Sequence, residues 1–111
     1  MKTSLSQGLA QLPGPQGERF AKLLRHGSLL VEVYAPRGHD PQQPHAQDEL
    51  YLVHSGHGVF LNGEERVAFT AGDALFVPAV RVHRYDTFSE DFVTWVVFYG
   101  PPGGEKDGEN P

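Results

Sequence analysis

The chain has 111 residues and a mass of 12.2 kDa, which accommodates one domain with one core and excludes a catalytic domain plus an accessory one. Cysteine is absent, so disulfides, thiolate zinc sites, iron–sulfur clusters and a cysteine nucleophile are excluded, and any metal chemistry must use His and carboxylates. Nine Lys plus Arg against 14 Asp plus Glu give a net charge of −5 without a basic block. That balance argues against nucleic-acid binding and for a small-molecule partner. No apolar run approaches the ~18 residues of a membrane span, and Met1-Lys2-Thr3-Ser4-Leu5 has no apolar stretch for a signal peptide, so a cytoplasmic protein without membrane contact is expected.

Residues 1–19 read as an extension. Ser4 to Leu12 can form a short helix, because Ser4 and Gln7 have capping-box spacing and Leu5, Leu9 and Leu12 share a face, although Gly8 weakens it. From about Phe20 to Tyr99, short apolar segments are separated by turn signals every 8 to 12 residues, the rhythm of an all-β sandwich or barrel. Phe20 to Arg25 reads as the hairpin partner of Ser28 to Ala35 across His26-Gly27; the competing reading is an amphipathic helix over Glu18 to Arg25 with Phe20, Leu23 and Leu24 on one face. The segment from Ala35 to Pro44 holds three prolines and is a loop. Glu49 to His54 reads as a strand. Val59-Phe60-Leu61 runs into Asn62-Gly63, the strongest hairpin signal in the chain, with Arg66 to Phe69 returning. Ala74 to Val77 ends at Pro78, Arg81 to Phe88 follows, and Phe92 to Tyr99 is apolar nearly throughout, as for a strand buried on both faces or covered by a partner subunit. Phe60, Phe76, Trp95 and Phe98 are expected in the core. The tail, residues 101–111, has no apolar residue to bury and is expected to be disordered.

Of six histidines, His26, His39, His54 and His57 read as surface residues. His45, four residues before Glu49, and His83, just after a strand-ending proline, form the candidate metal set, since imidazole and carboxylate ligate zinc, iron, manganese and nickel. In an extended strand His45 and Glu49 would lie roughly 13 Å apart, so a bend at Ala46-Gln47-Asp48 must let His45 end one strand while Glu49 begins the next. Glu49 paired with Arg81 or Arg84 is the structural alternative. Tyr51 shares the parity of Glu49 and is expected to line a substrate pocket. Tyr51 and Tyr85 are the available proton donors, and Asp48 reads as solvated.

These residues resemble the two motifs of the cupins. Gly38, His45-Ala46-Gln47-Asp48-Glu49 and Gly56 match the first, in which Gly, a His-x-His pair, Glu and Gly recur at similar spacing; Gly72, Pro78 and His83 match the second, Gly-x5-Pro-x-Gly-x2-His-x3-Asn. The resemblance covers about Val31 to Tyr99. It implies a double-stranded β-helix, or jelly-roll barrel, over residues 20–100, forming a homodimer with a pocket inside. It implies a divalent ion, Fe, Mn, Ni or Zn, on His45, Glu49 and His83. One member of the His-x-His pair is missing: Gln43 occupies its position, with Gln47 as the rival. Val80 stands where the family has Gly, and Thr87 where it has Asn. The implied function is metal-dependent chemistry on a small molecule, such as dioxygenation, isomerisation or lyase chemistry; the alternative is a barrel that binds a metal or ligand without reaction.

Overall fold

The computed structural model describes residues 1–106, and the last five lie outside the described residues. Eight strands follow one short helix: α1 (Leu5–Leu9), β1 (Phe20–His26), β2 (Leu29–Tyr34), β3 (Asp48–Ser55), β4 (His57–Asn62), β5 (Glu65–Thr70), β6 (Ala74–Val77), β7 (His83–Phe88) and β8 (Val93–Tyr99). All pairings are antiparallel. They form a five-stranded sheet, β1-β2-β8-β3-β6, facing a three-stranded sheet, β5-β4-β7, the jelly-roll arrangement of a double-stranded β-helix. Among the described residues no helix is long and apolar enough to cross a membrane.

Strand parity places the core. Tyr51 and Val53 of β3, Val96 and Phe98 of β8, Leu75 and Val77 of β6 alternate inward and meet Phe60, Phe69 and Tyr85 from the opposite sheet, with Phe92 closing the end. Tyr85 lies at the centre, its ring 4.7 Å from Phe60 and 4.6 Å from Phe92 between centroids. Such tilted contacts suit aromatic quadrupoles. β8 lies between β2 and β3, which explains why its sequence is apolar on both faces. Gly56, the last glycine of the first motif, has φ 89°. A Cβ there would stand 2.6 Å from Phe92 Cα, so this glycine serves backbone packing.

Residues Phe20–His26 form the strand β1, paired with β2 as in the hairpin reading, so no helix spans Glu18 to Arg25 and the 3.6-residue apolar spacing was coincidental. α1 is capped by the Ser4 side chain, which accepts from the Gln7 backbone N–H. The helix is not detached: Leu5, Leu12, Leu23 and Trp95 pack over Val33, Ala35 and Val93. Gly8 permits this approach, since a Cβ there would be 2.9 Å from Val33 Cγ2.

Three expectations are corrected. Phe76 is 48% exposed on the edge strand β6, because Leu75 and Val77 occupy the inward positions on either side. Trp95 is only half-buried, on the outer face of the sheet. Residues 101–106 are tied to the barrel through their backbone: Gly103 N–H donates to the Ala46 carbonyl (2.7 Å) and Glu105 N–H to Asp48 Oδ2 (2.9 Å). An apolar anchor is unnecessary where backbone hydrogen bonds do the holding. The part of the expected disordered tail beyond 106 lies outside the described residues.

Candidate metal centre

Glu49 is the second residue of β3 and points into the barrel, 1% exposed. His83 opens β7 on the opposite sheet and is 3% exposed. His45 ends no strand; it sits in the loop between β2 and β3, and the bend at Ala46-Gln47 returns its ring toward Glu49. One donor atom from each of the three residues lies within 4.8 Å of the others. Nε2 of His83 is 3.1 Å from Glu49 Oε1, and Nε2 of His45 is 4.0 Å from the same oxygen. Donors bonded at about 2.0–2.2 Å to one ion stand roughly 3 to 4.4 Å apart, so a small inward movement closes the set.

The polar atoms are left open for such a ligand. Both Glu49 oxygens and His83 Nε2 are buried without a hydrogen-bond partner, an arrangement that is unfavourable unless something else completes it. The 3.1 Å approach of His83 and Glu49 is thus a close contact rather than an aligned hydrogen bond. No arginine neutralises Glu49 among the described residues: Arg84 and Arg66 pair with Asp86, and Arg81 offers its carbonyl to His83 Nδ1 at 2.8 Å. An Nδ1–H donated to that carbonyl leaves Nε2 as the lone pair facing Glu49. Burial pushes the His45 pKa down, against the pull of Glu49. Burial also opposes charge on His83, but Glu49 and the Arg81 carbonyl outweigh it and raise the pKa.

The segment carrying His45 is clamped from two sides. Val80 N–H donates to the His45 carbonyl (2.7 Å), and Ala79 N–H donates to Asp48 Oδ1 (2.9 Å). Asp48, read as solvated, is 5% exposed and joins the β6–β7 loop to the tail. Upstream, Asp40 accepts from the Tyr34 hydroxyl, the Tyr85 backbone N–H (2.7 Å), and both the backbone and side-chain nitrogens of Gln42. Gln42 Oε1 in turn accepts from the Tyr51 hydroxyl at 2.6 Å.

These contacts revise the expected site. Gln43 is exposed and does not line the cavity; Gln42 is the inward amide. Gln47 reaches the cavity wall, but its Nε2 donates to the carbonyls of Ser28 and Gly100, both at 2.9 Å. Tyr51, expected to line the pocket, is 0% exposed and stands behind the wall supporting Gln42. Tyr85 is likewise buried in the aromatic core. Inward parity placed both correctly, but depth in the barrel, which parity does not encode, separates them from the cavity.

The cavity itself has a volume of about 900 Å³ and opens beside β1 and β2. Leu30, Val96 and Phe98 form apolar wall, and Glu49 and His45 lie on its polar side. Glu32, 8% exposed, also faces it. That carboxylate was overlooked in the sequence, although Leu30 and Tyr34 share its parity. Arg19 and Arg37 hold the mouth, both donating to the Ala35 carbonyl.

Comparison with known proteins agrees with this architecture. An uncharacterised protein of Streptomyces coelicolor is 37% identical over 84 residues, covering 74% of this chain and 80% of its own length. A cupin 2 conserved barrel domain protein from Salinispora arenicola superposes with a TM-score of 0.68 at 19% identity, over 90% of this chain and 88% of the other. A candidate mannose-6-phosphate isomerase from Ralstonia eutropha gives a TM-score of 0.61 at 27% identity, over 91% and 100%. The cupin domain profile matches residues 30–99, which span the whole constellation from Glu32 to His83, and the chain belongs to the cupin family.

Proposed function

We propose that this chain is a small-molecule cupin that holds a divalent metal ion, Fe, Mn, Ni or Zn, through His45, Glu49 and His83 at the polar end of its cavity, and acts on a small organic ligand there. The carrying observation is that three donors from different parts of the chain converge within 4.8 Å while the Glu49 oxygens and His83 Nε2 lack hydrogen-bond partners. Two imidazoles and one carboxylate leave positions open on an ion of higher coordination number. The ion would supply Lewis acidity toward a ligand oxygen. The chain's own residues do the rest: Arg81 fixes the His83 ring, the β6–β7 loop and the tail fix His45, and the apolar wall excludes water. Isomerisation, lyase chemistry and dioxygenation all suit such a site, and the likeness to an isomerase candidate supports the first.

Binding without reaction is the second reading. It is favoured by the retreat of Tyr51 and Tyr85 from the wall, which leaves few groups to move protons. The homodimer expected from the resemblance is carried with either reading, supported by Leu52 and Phe76, 42% and 48% exposed on the outer sheet face.

Elemental analysis of untagged protein tests the metal reading beside the double variant His45→Ala, His83→Ala. Near-stoichiometric metal that the variant loses is the expected result. Absence of metal from both, even after anaerobic incubation with Fe(II), Mn(II), Ni(II) and Zn(II), overturns it. Product formation from a bound small molecule, abolished in His83→Ala, separates catalysis from binding.

A further inference from the structure

Glu32 is a buried carboxylate of the cavity whose position the metal site does not explain. It lies on β2 between the inward residues Leu30 and Tyr34, opposite Val96 of β8. It is 8% exposed and faces the cavity. Among the described residues it makes no hydrogen bond and no ion pair. Lys22, its direct neighbour across β1, also lines the cavity; it is exposed and forms no ion pair with Glu32. The Glu32 carboxylate therefore faces the cavity without a hydrogen bond or ion pair, open to a cation or donor that enters there.

We propose that Glu32 is the second anchor of the cavity, and that the molecule bound there carries an ammonium or comparable cationic donor against Glu32 while its other end reaches the His45–Glu49–His83 group. This rests on the metal reading above and names the ligand class that such a site selects. The apolar wall of Leu30, Val96 and Phe98 strengthens a charge pair formed inside it. Arg19 and Arg37 are held at the mouth by the Ala35 carbonyl, and Glu18 and Lys22 also line the cavity, whereas its buried charged groups, Glu32 and Glu49, are both carboxylates. A ligand cation is therefore favoured at depth, beside the buried carboxylates. Burial pushes the Glu32 pKa up to about 7, with Lys22 and Arg25 of β1 opposing and Glu49 of β3 reinforcing that rise. β8 contributes the uncharged Val96 at this level. The charge on Glu32 at neutral pH is thus set by what binds beside it.

A matched set of hydroxamates tests the proposal without a known substrate. The three share a metal-binding head and differ in the tail: β-alanine hydroxamate ends in an ammonium, butyrohydroxamate in a methyl, succinate monohydroxamate in a carboxylate. Affinities are measured by calorimetry on the Zn(II)-loaded protein, with metal content determined on each sample. The expected result is that the ammonium probe binds about tenfold or more tightly than the methyl probe. Glu32→Gln, which keeps shape and removes charge, should bring the two to parity, and Glu32→Asp should keep part of the preference. The preference should also grow from pH 6 to 8 as Glu32 ionises, in a ratio from which effects on the shared head cancel. Equal binding of the ammonium and methyl probes, a preference unchanged in Glu32→Gln, or tightest binding of the carboxylate probe overturns the role of Glu32 and leaves the metal reading intact. Absence of Zn(II) together with absence of binding by all three probes overturns both.

Discussion

The backbone N–H of Val80 donates to the His45 carbonyl across 2.7 Å, and it does so from φ 59°. That is the left-handed region, which a β-branched residue enters only at a cost of about 1–2 kcal/mol. The second cupin motif has Gly at this position, and the backbone here adopts a conformation that suits Gly. Val80 keeps it because the bond to His45 and the neighbouring bond from Ala79 to Asp48 fix the loop. The side chain is 68% exposed, so its removal forfeits little burial. Val80→Gly is therefore expected to stabilise the protein by about 0.5–1 kcal/mol, the strain relieved less the added freedom of the unfolded chain. Val80→Pro, which lacks the donor and cannot reach positive φ, should lose stability and metal together. Urea denaturation of both variants checks the signs, and a destabilised Val80→Gly would show that the valine side chain matters more than its backbone.

Asp40 holds the other flank. Four donors converge on its carboxylate, from Tyr34, Tyr85 and twice from Gln42. Asp40→Ala leaves the Tyr85 N–H, inside a strand beside the core, without its partner and frees the loop that carries Gln42 and His45. The expected loss is about 2–4 kcal/mol in stability, with metal affinity falling by at most about 10-fold, the low end for a direct partner of a ligand residue, since Asp40 acts only through the loop that carries His45. Thermal unfolding and metal titration of the same variant measure the two effects. Unchanged metal affinity in a destabilised variant would confine Asp40 to holding the fold.

The barrel was legible where local chemistry and pattern agree. Asn62-Gly63 marks the β4–β5 turn, and the unbroken apolar run after Phe92 marks the central strand β8. Glu49 and His83 could be picked out because the turn and proline signals around them fix their place at strand ends. Gln42 could not: Pro41-Gln42-Gln43-Pro44 has no period, and only the Asp40 hub, formed by residues distant in sequence, decides which amide faces inward. Phe76 sits among Leu75 and Val77, and an apolar run does not declare its parity. Glu32 had the correct parity on view, but a lone carboxylate in an apolar strand reads as an outward residue until the cavity behind it is known.

Glu32 also sets a pH signature that needs no ligand. Its pKa is raised to about 7 from an ordinary 4.5, so the folded state binds this proton more tightly than the unfolded state. The penalty for burying the charge is then complete above pH 7, shrinks as pH falls, and vanishes below about 4.5. Glu32→Gln removes the penalty. It should stabilise the protein at pH 8 by on the order of 2–3 kcal/mol, with the gain fading toward pH 5. Denaturant midpoints of both proteins across that range decide the matter, and a gain independent of pH would mean that the carboxylate is not the source.

The metal and the proton compete at His83, which gives the last prediction. Burial opposes charge on this ring, but the Glu49 carboxylate and the Arg81 carbonyl raise its pKa above 6.5, whereas burial lowers that of His45. In metal-free protein, a raised histidine pKa contributes stability that is complete below 6.5 and is lost as pH rises through the folded value. Coordination needs the neutral ring, so metal-bound protein follows the opposite slope and metal binding releases a proton. The difference in Tm between Zn(II)-loaded and chelator-treated protein should therefore widen as pH rises from 5.5 to 8. Glu32 titrates in both forms and largely cancels from that difference. His83→Ala should abolish the gap at every pH by removing the ligand. A gap of constant size across the range would show that no imidazole proton is displaced, and hence that His83 does not coordinate the ion.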